Sequence, residues 1–279
     1  MNLKTIETGH FKLDGGAMHG VVPKSLWSKF NPADDNNLCS WAMRCLLIEN
    51  DNRLILIDTG IGEKQDAKFL GHYYLHGDDN LKKSIENAGY SLDEVTDVFL
   101  THLHFDHVGG AVKRESDQLL PTFKNAIYWS HEKHWDWAVH PNAREKASFL
   151  KENIMPLQES GQLKMLSGNE FKNWEQTFQI GLVNGHTEAM MLPIMQYKGH
   201  TILYCADLIP SVAHIPMPWV MSYDIRPLDT LKEKEYYLKM AVENNWLLYF
   251  EHDPHIELCS LQQTDKGIRL KETMKLSDL

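Results

Sequence analysis

The segment "THLHFDHVGG" places His102, His104, Asp106 and His107 within six residues, four groups that can each offer a lone pair to a cation. His102 and His104 are two apart, so at an extended strand end their side chains share a face, with Asp106 and His107 in the turn that follows. Imidazoles packed beside a carboxylate need partners for several polar atoms, and an apolar core supplies none. The chemistry implied is metal binding. Imidazole and carboxylate suit zinc, and they also accept manganese, iron or cobalt.

Three other apolar runs stop at residues of the same types: "LILI" at Asp58, "TILYCA" at Asp207 and "WLLYFE" at His252, as "DVFLT" stops at His102. His186 follows the strand-like "TFQIGLV", and Gly185 before it allows close backbone approach. In open sheets flanked by helices, ligands gather beyond the carboxyl ends of strands, so such distant segments can converge on one site. The remaining histidines carry less. In "HEKHWDW" His131 and His134 are three apart, the metalloprotease HExxH spacing fails, and a solvated helix face is expected. His255 lies beyond Pro254, off the strand that His252 terminates. His10, His19, His72, His76, His140 and His200 have no recognisable partners.

The elements that must position these groups alternate between strand and helix, which predicts an α/β fold. "WAMRCLLIE", the turn "NDN" and "RLILIDTG" read as a β-hairpin; "MMLPIMQ", "YKGH" and "TILYCADLIP" repeat that design, suggesting two similar halves. Helices are expected at "DDNLKKSIENAGY" with a stop at Gly89, over much of 142–154, and from Thr230 to about Asn244 with Thr230 and Glu233 as a capping box. "HIELCSLQQTDKGIRL" reads as a final hairpin. No linker or low-complexity run divides residues 1–279, so a single domain is expected. Cys39, Cys45, Cys205 and Cys259 show no CxxC spacing and read as buried thiols. With 28 Lys+Arg against 38 Asp+Glu, the formal charge of -10 argues against a broad basic surface for nucleic acid. No apolar stretch is long enough to span a bilayer and the start has no apolar leader segment, so a cytoplasmic protein with no membrane partner is expected.

"THLHFDHVGG" resembles the HxHxDH motif of the metallo-β-lactamase superfamily, with Asp58, His186, Asp207 and His252 in its other motif positions and in its order. The resemblance spans most of the chain. It implies a four-layer αβ/βα sandwich with two divalent metal ions, Zn2+ foremost. By the same match His102, His104 and His186 hold the first ion, Asp106, His107 and His252 hold the second, and Asp207 bridges both. Two cations roughly 3.5 to 4 Å apart need a bridging anion, which an Asp and a hydroxide supply. Asp58 is expected to orient a ligand imidazole by accepting its other N–H, the alternative being a turn-capping acid. His104 stands where the superfamily's diiron redox branch tends to carry Glu, which implies hydrolytic use. Asp106 is expected to accept or relay a proton as well as to ligate.

Two further segments, "LDGGAMHGVVPKSLW" and "ADLIPSVAHIPMPWVMSYDIRPL", resemble those of quorum-quenching lactonases and their methyl-parathion-hydrolase-like relatives. Met18, Val21, Val22, Trp27, Ile215, Met217 and Trp219 are thereby expected to line an apolar pocket for an acyl chain, although the same residues could support a homodimer or simple loop packing. Acyl-homoserine lactonases of the superfamily place a Tyr three residues after the bridging Asp; here that position is Pro210, and Tyr223 and His214 are the candidates to compensate. The expected function is a dinuclear hydrolase that opens N-acyl-homoserine lactones or related lactones by attack of a metal-bridging hydroxide. A phosphotriesterase or arylesterase is the alternative, and a non-catalytic metal-stabilised binding module the minor one.

Overall fold

A computed structural model describes residues 1–168 and 171–279. The chain forms two compact units: Met1–Gly9, Met43–Asn169 and Ala189–Met191 make the first, and His10–Ala42, Glu170–Glu188 and Leu192–Leu279 the second. Mixed α/β structure with several sheets is present, as the alternating sequence predicts.

Eight strands come first in the chain: β1 (Asn2–Asp14), β2 (Leu38–Asn50), β3 (Arg53–Ile57), β4 (Asp97–Phe99), β5 (Val112–Glu115), β6 (Gln118–Pro121), β7 (Ile127–His131) and β8 (Leu163–Leu166). β5 and β6 pair as a hairpin, and the others form a six-stranded sheet in the order β1-β2-β3-β4-β7-β8. β2 and β3 are the expected hairpin, closing at Asn50 opposite Arg53 with Asp51 in the left-handed region at φ 50°. β3, β4, β7 and β8 run parallel, so their carboxyl ends lie along one edge of the sheet. That edge receives Asp58 and the residues from His102 onward. Ile6, Leu47, Leu56, Val98, Leu100, Phe123 and Tyr128 belong to the core cluster of this unit.

The crossover helices follow local rules. Leu81–Asn87 starts where the Asn80 side chain accepts from Lys83 N at 2.9 Å, buries Leu81 and Ile85, and gives way to Gly89 at φ +91°. The helix expected over 142–154 begins only at Lys151 and runs to Glu159. Asn142 Oδ1 accepts from the backbone N–H of Arg144 and Glu145 instead, a local turn that competes with helix initiation.

The second unit is built on a seven-stranded sheet of β9 (Phe171–Trp174), β10 (Phe178–Val183), β11 (Met190–Tyr197), β12 (His200–Tyr204), β13 (Leu247–Tyr249), β14 (Leu258–Thr264) and β15 (Gly267–Met274), in order β15 to β9. β11–β12 and β14–β15 are the two expected hairpins. β12 and β13 are parallel neighbours, with Tyr204 and Tyr249 stacked at 5.4 Å, so the segments leaving them toward Asp207 and His252 depart side by side. The helix Pro227–Glu243 starts three residues before the expected Thr230, because Pro227 occupies its first turn, where a missing N–H costs nothing. The expected capping box does not form; Glu233 is turned elsewhere, as described below. All four cysteines are buried free thiols. Among the described residues no helix is long and apolar enough to cross a membrane.

Candidate metal centre

In the first unit, Asp58 follows β3 with φ at 57°, a left-handed conformation that Asp tolerates better than bulky residues do. Its fully buried carboxylate accepts from Thr101 N at 2.8 Å and Thr101 Oγ1 at 2.6 Å, and lies 3.2 Å from His107 Nδ1. A carboxylate only accepts, so Nδ1 of His107 carries the proton and Nε2 keeps its lone pair. Thr101 Oγ1, having donated to Asp58, accepts from His102 Nδ1 at 3.1 Å, which leaves Nε2 of His102 as the lone-pair nitrogen. His104 Nε2 faces Glu145 Oε1 at 3.5 Å, and a proton on that side leaves the lone pair on Nδ1. His102 Nε2 and His104 Nδ1 are 3.1 Å apart, and two lone pairs at that distance repel unless a proton or a cation lies between them. The geometry fits a bound metal ion.

The loop carrying these groups is held from several sides. Leu103 N donates to His134 Nε2 at 2.8 Å, and His107 O accepts from both Thr59 N (2.8 Å) and Thr59 Oγ1 (2.7 Å). Lys64 donates to Gly109 O, and burial drives the pKa of this lysine down to about 7. A Cβ at Gly109 would run into the backbone of Ile61, which explains why glycine follows the histidines. His131 and His134 are both buried, not on a solvated face: His131 accepts from Lys133 N at its own helix start while His134 braces Leu103. His134 packs at 5.7 Å from Phe149, a residue fifteen positions away, so its spacing within "HEKHWDW" does not reveal the burial.

The second unit contributes His186, Asp207 and His252, which meet each other. Asp207 Oδ2 lies 3.0 Å from His186 Nε2, and Oδ1 lies 3.0 Å from His252 Nε2, so one carboxylate is flanked by an imidazole at each oxygen. The other nitrogen of each ring is committed: His186 Nδ1 to Asp224 Oδ1 at 3.0 Å, His252 Nδ1 to Ala42 O at 2.8 Å. Ala206, just before Asp207, has φ 42°, a conformation that costs about 1–2 kcal/mol for an L residue and aims the following carboxylate. Burial would lower the pKa of His186, but Asp207 and then Asp224 outweigh it and raise it to about 10. A divalent cation at Nε2 would have to displace that proton. Gly185 is required here because a Cβ would meet the backbone of Thr230. Glu233, absent from its own helix cap, accepts from Asn184 N (2.7 Å) and Gly185 N (3.0 Å).

Every histidine expected to ligate therefore has one nitrogen facing an orienting group; the other is the atom a cation would take, after displacing a proton where it faces Asp207. Of those orienting groups, Thr101, Glu145 and Asp224 and the Ala42 carbonyl carry no sequence signal, because each comes from a segment remote from, or differently typed than, the motif it serves.

The residues expected at a substrate pocket all lie in the second unit. Met18, Val22, Trp27 and Ile215 are buried, Met217 and Trp219 are half-buried, and Val21 is 89% exposed. Tyr223 is exposed on the same loop. His214 is fully buried with both nitrogens engaged, Nδ1 with Ser211 Oγ and Nε2 with Met18 O, each at 2.8 Å, and burial lowers its pKa so the ring is neutral. His19 stacks between His214 (4.8 Å) and Trp27 (5.3 Å).

Comparison with known proteins places residues 44–252 within the model of the metallo-β-lactamase superfamily. The N-acyl homoserine lactonase AiiA of Bacillus thuringiensis subsp. kurstaki is 26% identical over 142 residues, 47% of this chain and 50% of that protein. The chain thus spans about half the length of the curated relatives it matches. A probable metallo-hydrolase of Mycobacterium tuberculosis is 36% identical over 74 residues, 23% of this chain and 24% of that one. Among solved structures, a probable metal-dependent hydrolase from Staphylococcus aureus aligns with a TM-score of 0.86 and 26% identity over 98% of both chains. AidC, a dizinc quorum-quenching lactonase solved with the product N-hexanoyl-L-homoserine, aligns with a TM-score of 0.78 and 23% identity, over 98% of this chain and 95% of that one.

Proposed function

The chain belongs to the metallo-β-lactamase superfamily, and from that premise we propose that it is a dinuclear metal-dependent hydrolase of lactones, N-acyl homoserine lactones foremost. The observation that carries this reading is a pattern the five histidines share: one ring nitrogen of each faces a fixed partner, while the other faces the neighbouring imidazole or carboxylate groups of its own cluster. On this proposal His102, His104 and His186 would hold one ion, Asp106, His107 and His252 the other, and Asp207 would be shared by the two. Two divalent ions there, zinc the leading candidate, would lower the pKa of a water and polarise an ester carbonyl.

The chain's own residues do the rest. Asp58, Glu145 and Asp224 keep the ring protons on the nitrogens that face them, so the donor lone pairs stay aimed without rearrangement. Asp106, which lies 3.8 Å from His107 Nε2 and is only slightly exposed, is a group that would take up the proton lost by the attacking water and return it to the leaving oxygen. Of the two residues considered to replace the lactonase Tyr, Tyr223 has an exposed ring that a substrate can reach, while both nitrogens of His214 are already occupied. Met18, Val22, Trp27, Ile215, Met217 and Trp219 supply the apolar side for an acyl chain. The names carried by AiiA and AidC support lactones as the substrate class. Pro210, in place of the lactonase Tyr, favours a second reading in which aryl esters or phosphotriesters are the better substrates.

The test is kcat/KM for metal-replete protein across N-acyl homoserine lactones, simple lactones, aryl esters and phosphotriesters, because a single activity at high concentration does not rank classes. The proposal expects the acyl lactones to lead. Absence of lactone turnover beside efficient ester or phosphotriester hydrolysis would reject the lactone assignment and retain the hydrolase.

A further inference from the structure

The helix Pro227–Glu243 carries adjacent Glu233 and Lys234, and the two grip different loops. Glu233 accepts from the backbone of Asn184 and Gly185, the residues that deliver His186. Lys234 is fully buried, and its ammonium donates to Pro216 O at 2.7 Å, Met217 O at 3.3 Å and Trp219 O at 2.9 Å. An ammonium has three N–H bonds, and all three go to one short stretch of backbone. Burying that charge is costly, with Asp224 as the charge that offsets part of the burial penalty. Packing alone would be served better by Met or Leu at this position.

The sequence of the loop explains the arrangement. Pro216 and Pro218 have no N–H, so the loop cannot satisfy its own carbonyls through a regular ladder and needs an outside donor. Trp219 N also donates to Pro216 O, and Ser222 N to Ala17 O at 2.8 Å. Trp219 in turn stands edge-on to His19 at 5.8 Å and to Phe30 at 5.4 Å. Beyond it, Asp224 accepts from Met221 N and contacts His186 Nδ1, so this segment reaches the His186 ring while Glu233 holds the backbone of the two residues before it.

We propose that Lys234 is a positioning residue for substrate selection: it fixes the 216–219 loop as a preformed wall for the acyl chain, while Glu233 separately fixes the loop of His186. The selection half rests on the lactonase or esterase reading above; the clamp itself does not. A loop with three anchored carbonyls contributes binding surface without the entropy of ordering it on each encounter, so releasing the anchor weakens binding in proportion to the chain length that the wall contacts.

Lys234→Met and Lys234→Gln are to be compared with Glu233→Gln for metal content, for kcat and KM on short- and long-chain acyl lactones or esters, and for amide exchange of residues 215–223 and 184–188. Both Lys234 variants are expected to retain metal, to keep kcat within about twofold, to raise KM for long chains about tenfold more than for short ones, and to speed exchange at 215–223 about tenfold. Glu233→Gln is expected to speed exchange at 184–188 and to lower metal retention with no dependence on chain length. A folded Lys234 variant with unchanged chain-length preference overturns the selection role. If neither variant folds, the wild type decides: exchange at 215–223 as fast as in exposed loops overturns the clamp. Should the wild type hydrolyse neither lactones nor esters, the functional reading fails while slow exchange at 215–223 still upholds the clamp.

Discussion

Asp58→Asn is the most informative single change, because it keeps shape and removes only the charge and one acceptor. In the native protein Oδ1 accepts from Thr101 N, and Oδ2 accepts from Thr101 Oγ1 and faces His107 Nδ1, all with no solvent exposure. An amide keeps the bond from Thr101 N only with its NH2 turned toward Thr101 Oγ1 and His107 Nδ1, where both partners must reverse from donor to acceptor. Bonds to a buried charged acceptor are worth about 1.5–3 kcal/mol, so a loss of roughly 2–4 kcal/mol of stability is expected. The same change frees His107 to carry its proton on Nε2, where the lone pair is needed, and loss of such an orienting partner typically weakens metal binding about 10–100-fold. The assay is a chelator-competition titration of the stripped protein with Zn2+, alongside denaturant unfolding. Affinity within about twofold of wild type in a folded Asp58→Asn protein would refute the claim that this carboxylate sets the tautomer.

His19→Phe tests the buried ring stacked on His214 and Trp27. Burial, opposed by Asn31 beside it, pushes its pKa from 6.5 down to about 4. The unfolded chain therefore binds the extra proton between those values, so the stabilisation is complete above pH 6.5 and is lost as pH falls toward 4, amounting to roughly 3 kcal/mol. Urea titrations should show wild type losing that much more than His19→Phe over the window, and parallel curves would show that the ring titrates normally. Gly185→Ala is expected to destabilise by about 1–3 kcal/mol and to lower metal retention, since the added methyl meets the Thr230 backbone beside His186; unaltered unfolding and metal content would contradict that close approach.

Sequence carried the frame of the molecule further than its supports. Hairpins closing at Asn50–Arg53 and Tyr197–His200 were legible because the turns combine short polar residues with alternating apolar runs, and apolar runs ending in Asp or His marked the strand ends. Helix starts were less legible. Asn142 ties its own backbone into a turn, and Pro227 starts a helix ahead of the Thr230 and Glu233 pattern, whose acid serves a distant loop. The orienting residues were hidden for a related reason: Asp224 and Glu145 look like any acid in a polar stretch until folding brings each beside a ring. The spacing of His134 predicts a solvated ring, since nothing in it shows that the ring accepts from Leu103 N.

The central claim is tested most directly by counting metal. Protein purified with Zn2+ and analysed for elemental content should hold two equivalents per chain, lose hydrolysis when a chelator strips them, and regain it in step with their return. One equivalent or none at full activity, with turnover indifferent to the chelator, would contradict the account.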